Sequence, residues 1–394
     1  MSYPGAGLVR LAVTALFFVN GMSAASWFVR IPAVKSGLGL SAGELSLALL
    51  SVASGSILTM LAASRLVERF GASGVLMGGA PLLCLGLSLP ALAPSLLALC
   101  LAGLVLGTGN GLMNVALNSR ASDLEKEYAR PIMPSFHALF SLGGFAASVV
   151  GGIVATAGVG ASVHLPATAV VLALASAAFF PLLARDAANR PAATNPEDEE
   201  AGGGLRSLPS PVVLMLGLIG FSVLFGEGAM ADWSAVYLRE LGTTEGVAAA
   251  GYALFSLAMA AGRFSGNRLT ELLGAASLVR LGGLMAALGL TMTLISGWAP
   301  LALIGFGVVG LGFSVVFPLT LSAAGRTGKT PSASIAFVSA CGYGGFLLGP
   351  AVIGFLAELS ILSIALASVL FLSVLVASVA EAIGDRRELA EAHA

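Results

Sequence analysis

The sequence predicts an all-α polytopic membrane protein with twelve transmembrane helices in two pseudo-symmetric six-helix bundles. Three observations predict it. Of 394 residues, 57% are hydrophobic and 10% charged, and mean hydropathy is +0.96; soluble domains carry about 25% charged residues. Apolar spans of about 20 residues, long enough to cross a bilayer, recur along the chain. The second half also repeats the first at a fixed spacing: Arg65, Glu68 and Gly71 return as Arg268, Glu271 and Gly274, each 203 positions later.

The first six spans are read at 9–29, 44–64, 74–93, 96–117, 134–158 and 164–183. The second six are read at 211–237, 247–265, 276–297, 300–322, 333–356 and 360–381. Arg10 precedes a long apolar run with no small-residue cleavage site, which reads as a retained first helix. Residues 184–210 are polar, acidic and rich in Pro and Gly, the composition of a disordered linker. This divides the chain into a 1–183 bundle, a 184–210 cytoplasmic linker, and a 211–394 bundle with a short tail. With the N-terminus in the cytoplasm, only Arg30, Lys35 and Arg239 fall outside, and the other 16 of 19 Lys and Arg residues fall inside. Arg263 is counted there with Arg268, at the inner end of the eighth helix. That bias follows the positive-inside rule and sets both termini on the cytoplasmic face of the inner (plasma) membrane.

Fifty-one glycines suit helices that approach closely. A net charge of −1 gives no footprint for nucleic acid. Cys84, Cys100 and Cys341 form no CxxC pair, and no His/Cys/Asp cluster has metal-ligand spacing. Neither a cofactor nor a metal is expected, nor an enzyme, which needs clustered nucleophiles, acids or ligands. Nothing calls for a partner chain, so a monomer in the bilayer is expected. A sensor would carry a folded soluble domain, and 184–210 is too short and too polar to be one.

Candidate functional residues are those that a lipid-facing helix would exclude. Glu227 lies about 16 residues into the seventh helix. Intramembrane acids mark pathways by default, and desolvation favours their neutral form, so Glu227 can load and release a proton. Asp232, a second proton-coupling candidate, is five residues on, about 140° round the helix, and reads either as an outer-gate residue or as a partly hydrated end residue pairing with Arg30 or Arg239. His137, one turn inside the fifth helix, is a third proton-coupling candidate because its charge changes near physiological pH. Proton coupling makes a proton gradient the expected energy source.

Asn110, Asn114 and Asn118 recur every four residues and form one stripe on the fourth helix. Gly103, Gly107 and Gly111 form a ridge beside it. The ridge is expected to pack on a neighbour while Asn110 and Asn114 line a cavity, offering donors and acceptors to a polar solute. Asn118 is left to interhelical bonding or an inner gate. The positions 203 residues on are Phe313, Phe317 and Leu321, an aromatic opposite wall. Asn20 and Tyr343 are further solute candidates. Trp27 and Trp233 are read as interfacial belt anchors or as solute stackers.

The loop Ser64-Arg65-Leu66-Val67-Glu68-Arg69-Phe70-Gly71-Ala72 and its copy around Gly266-Asn267-Arg268-Leu269 resemble motif A of the major facilitator superfamily. Ser64 replaces that pattern's first glycine, Ala72 its last basic residue, and Asn267 an aspartate. The phrases Asn114-Val115-Ala116-Leu117-Asn118, Phe136-His137-Ala138-Leu139-Phe140, Glu227-Gly228-Ala229-Met230-Ala231-Asp232-Trp233-Ser234 and Gly342-Tyr343-Gly344-Gly345 are similar to the MosC-like and YbjJ-like branch. The resemblance implies the superfamily fold, alternating access, and a small-molecule solute. It also implies that Arg65, Glu68, Arg69, Gly71, Arg268 and Glu271 make ion pairs and helix-end contacts that hold one conformation. The function expected is a proton-coupled secondary transporter of a small polar or amphipathic organic solute, the alternative being a proton-driven exporter of drugs or toxic metabolites. Gly345, Gly349, Pro350 and Gly354 are expected to pack closely, with a kink at the proline.

Overall fold

The structure, a computed structural model, describes residues 6–128, 132–189, 210–327 and 331–384. Helices carry the described residues, with no strand among them. In chain order they are α1 (Ala6–Phe28), α2 (Ile31–Leu38), α3 (Ala42–Ser88), α4 (Leu96–Tyr128), α5 (Met133–Thr156), α6 (Ala161–Ala177) and α7 (Phe180–Asn189). Then follow α8 (Pro211–Glu240), α9 (Glu245–Leu273), α10 (Ala275–Ser296), α11 (Ala299–Phe313), α12 (Val316–Arg326), α13 (Pro331–Leu359) and α14 (Leu362–Ser378).

Ten spans are long and apolar enough to cross a membrane, and α6 with α7, bent by 44°, makes an eleventh. The apolar α14 has 17 residues, about 25 Å at 1.5 Å each. Large apolar side chains point outward, among them Leu58, Leu61, Leu97, Leu174 and Phe371, each at least 65% exposed. Such a surface marks a molecule whose solvent is lipid.

Several boundaries differ from the sequence reading. The second and third helices run together as α3, turning at Gly71 (φ 71°, ψ 155°). Its copy Gly274, at φ 75° and ψ 154°, opens α10. Only glycine takes that conformation readily, so both halves keep it at the same place. The tenth helix breaks between α11 and α12. Residues 184–189, expected as linker, continue α7; the rest of that linker up to 209, and His393, lie outside the described residues.

Contacts divide the chain into two compact units. Among the described residues, those of Met1–Pro196 with Gly242–Ala253 form the first, and those of Glu197–Leu241 with Leu254–Ala394 form the second. Gly242–Ala253 thus groups with the first unit, although the sequence places it in the second bundle. The cause is local. Gly246 faces Thr156 and Gly152 of α5 with no room for a Cβ, Tyr252 meets Phe28 edge-on at 5.1 Å, and Glu245 pairs with Arg30 at 2.8 Å.

Inside each unit the duplication is repeated contact by contact. Gly107 of α4 lies against the carbonyl of Val52, and Gly310 of α11 against that of Phe255. Gly79 meets Met113 as Gly282 meets Val316, and Gly86 meets Leu106 as Gly289 meets Val309. Every residue in the second set stands 203 positions after its counterpart. Gly103, Gly107 and Gly111 pack against α3, as their spacing predicts. Gly345 and Gly349 of α13 pack against the carbonyls of Phe221 and Phe225 of α8.

Candidate functional site

In the second unit, Glu227 lies near the middle of α8, 16 residues from Pro211 and 13 from Glu240. Its Oε2 stands 3.6 Å from an Nη of Arg263 on α9, with the two side chains 16% and 17% exposed. Arg263 does not sit at a helix end. The sequence reading stops that helix at 265, but α9 continues to Leu273, so Arg263 is ten residues, about 15 Å, from its end. An acid and a base therefore meet inside membrane-spanning helices, both still partly accessible. Such a pair has two states available to it: a carboxylate held by the guanidinium, or a neutral acid that has taken a proton and let it go.

The aromatic candidates surround this helix. Phe313 is fully buried with its ring against Gly226, next to Glu227. Phe317 packs between Gly220 and Gly342. Tyr343 is 39% exposed. Asp232 is buried, and among the described residues its carboxyl has neither a hydrogen-bond nor an ion-pair partner. The pairing expected with Arg30 is overturned, since Arg30 is held by Glu245, His164 and Val159. Trp27 and Trp233 are 2% and 0% exposed, which rules out the belt-anchor reading: neither reaches lipid. Trp233 Nε1 and Ser234 Oγ are buried without a partner among the described residues.

In the first unit, Asn110 donates from Nδ2 to Ser56 Oγ of α3 at 3.3 Å, beside the glycine ridge. Asn118 donates to the Asn114 backbone carbonyl at 2.8 Å and to Asn114 Oδ1 at 3.2 Å, both within α4. Among the described residues, buried Asn20 Oδ1 has no hydrogen-bond partner, nor has Ser23 Oγ one turn on. His137 lies edge-on to Phe17 at 5.5 Å. Arg65, Glu68, Arg69, Arg268 and Glu271 are exposed, and the described ion pairs include none of them; Arg69 lies over the Phe70 ring at 5.3 Å. Among the described residues, the ion pairs implied for these loops are not made.

The tight ionic contacts lie elsewhere, on residues the sequence reading passed over. Arg120 of α4, 2% exposed, donates from Nε and Nη2 to the two oxygens of Asp186 on α7 at 2.8 and 2.9 Å, and from Nη1 to Glu127 at 3.1 Å. Ser73 Oγ donates to Asp186 Oδ2 at 2.6 Å. Glu125 accepts the backbone N–H groups of Ile132 and Met133 at the start of α5. His164, where the sequence reading starts the sixth helix, is buried in the first turn of α6. An i, i+7 acid such as Glu127 is visible in sequence; a partner 66 residues away is not.

A family model described as Major Facilitator Superfamily matches residues 13–350. An uncharacterized MFS-type transporter of Yersinia pestis is 35% identical over 95% of both chains. Membrane protein MosC of Rhizobium meliloti is 33% identical over 95% of this chain and 90% of its own. Among solved structures, the nucleoside transporter NupG (D323A mutant) aligns with a TM-score of 0.71 at 12% identity, covering 95% of this chain and all of that one. A bacterial homolog of the human lysosomal transporter Spinster, inward-facing and unoccupied, gives 0.71 at 14% identity over 97% of each chain. At these identities the solved structures speak to fold alone.

Proposed function

Because the chain belongs to the Major Facilitator Superfamily and is a membrane solute transporter, we propose that it moves a small polar or amphipathic organic solute by alternating access, coupled to protons through Glu227. The observation that carries this reading is the 3.6 Å pair between Glu227 and Arg263 within the span. A proton on Glu227 removes the charge that holds Arg263, so loading and release change what α8 and α9 do to each other. A ligand, here the proton, shifts such an equilibrium by its different affinity for the two states. Asn110 and Asn114 supply donors and acceptors for solute hydroxyls or amines. The Lys and Arg distribution favours cytoplasmic termini in an inner membrane.

The test begins with a thermal-shift screen of purified protein against sugars, polyols, amines and amino acids. The stabilising solute is then followed in proteoliposomes. Wild type accumulates it when a pH gradient is imposed. Glu227→Gln exchanges solute across the membrane but ignores the gradient. A Glu227→Gln variant with the full gradient response removes the proton-carrier assignment. Sensitisation of deletion cells to several unrelated apolar drugs would replace the polar solute with an exporter's broad cargo.

A further inference from the structure

Between α1 and α2 the chain turns through Val29 and Arg30. Arg30 is 1% exposed, and each arm of its guanidinium is engaged. Nε donates to His164 Nδ1 at 3.0 Å, Nη1 to Glu245 Oε2 at 2.8 Å, and Nη2 to the Val159 carbonyl at 2.6 Å. One side chain thus ties together the α1–α2 turn, the α5–α6 connection and the first residue of α9. The consequence lies in α9 itself. Its residues up to Ala253 group with the first unit, and those from Leu254 onward with the second. A single continuous helix is divided between two units, and Arg30 is the charged group that holds its first turn.

We propose that Arg30, His164 and Glu245 form a proton-sensitive latch that fastens the start of α9 to the first unit and releases it when His164 takes up a proton. Arginine has only N–H donors, so His164 Nδ1 can accept from it only while Nδ1 carries no proton. Protonation puts a second N–H on Nδ1, pointing at the Arg30 N–H across 3.0 Å, and sets an imidazolium beside a guanidinium. The contact changes from attraction to repulsion. Released, Glu245 keeps a favourable place in the first turn of α9, where the helix dipole stabilises an acid.

The surroundings of His164 leave Arg30 as the charge that acts on it. On α5 the facing residue is Gly151, where a Cβ would sit 3.4 Å from the imidazole Cε1. On α2, Lys35 is half-buried. On α3, Glu44 is exposed and engaged with Ser41 in a capping box. Glu245 reaches His164 only through Arg30, and its 35% exposure gives water a route to the latch. Glu227 takes no part, so latch and coupling site can be tested apart.

The test uses the full chain in nanodiscs with no solute. Cys84, Cys100 and Cys341 are replaced by alanine, and spin labels are placed at the exposed Ser36→Cys on α2 and Val247→Cys on α9. Distances between them are measured from about pH 8 to about pH 5, which covers the charge change of an ordinary histidine and stays above that of an ordinary glutamate. The expected result is a short distance at high pH that gives way to a longer one, the ratio changing by up to about tenfold per pH unit, the slope of one linked proton. His164→Asn keeps an acceptor for Arg30 and cannot take the proton, so it stays short throughout. Glu245→Gln is enriched in the long distance even at high pH. A wild type that does not change with pH, a His164→Asn that changes as wild type does, or a Glu245→Gln that stays short overturns the proposal.

Discussion

Two mostly buried ion pairs, Arg120 with Asp186 and Arg263 with Glu227, share their chemistry but not their geometry. The first is bidentate at 2.8 and 2.9 Å, supported by Ser73 and Glu127, with side chains 2% and 9% exposed. The second spans 3.6 Å, with both side chains roughly twice as exposed as Asp186. A forked arginine contact with extra donors fixes geometry. A longer contact with residual access to water can be exchanged for a proton. Burial alone therefore does not separate the two pairs; distance, supporting donors and accessibility together do.

The comparison can be broken by mutation. Removing one partner of the tight pair strands a buried charge, so Asp186→Ala should cost about 3–5 kcal/mol of stability, read from denaturant unfolding in detergent. Gly226→Ala tests the packing around Glu227: its Cβ would stand 2.8 Å from Phe313 Cζ and 3.1 Å from Val369 Cγ1, an overpacking of about 1–3 kcal/mol visible in the same assay. Glu227→Gln should cost less than Asp186→Ala, because the amide keeps the side chain's shape and Arg263 keeps some access to water, while abolishing the gradient response. A loss above about 3 kcal/mol would instead make Glu227 a structural tie like Asp186. The exposed pair of Arg280 and Glu381, at 2.7 Å but 47% and 67% exposed, sets the floor: Glu381→Gln should change stability by about 0.5 kcal/mol or less.

Much of the fold was legible because duplication and hydropathy are written locally. The spacing of 203 residues read in the sequence is carried into the packing of the two halves, and the glycine ridge of α4 lies where its period put it. The site was legible only in part. Glu227 stood out as an acid among apolar residues, but Arg263 did not, because Arg268 follows it and the two together look like a helix end. Hydropathy also cannot tell protein from lipid, so Trp27 and Trp233 read as belt anchors although both are buried. His164 did not stand out because it was read as the outermost residue of its helix, whereas α6 begins a turn earlier at Ala161, and because its partner Arg30 is 134 positions away.

The most direct test of the coupling claim is infrared spectroscopy of the protein in membranes, taken as the difference between wild type and Glu227→Gln across a pH titration. The account predicts a protonated-carboxyl band in wild type that fades as pH rises, with no counterpart in the variant. Spectra with no such difference at any pH would show that Glu227 never carries a proton, and the coupling mechanism would fall.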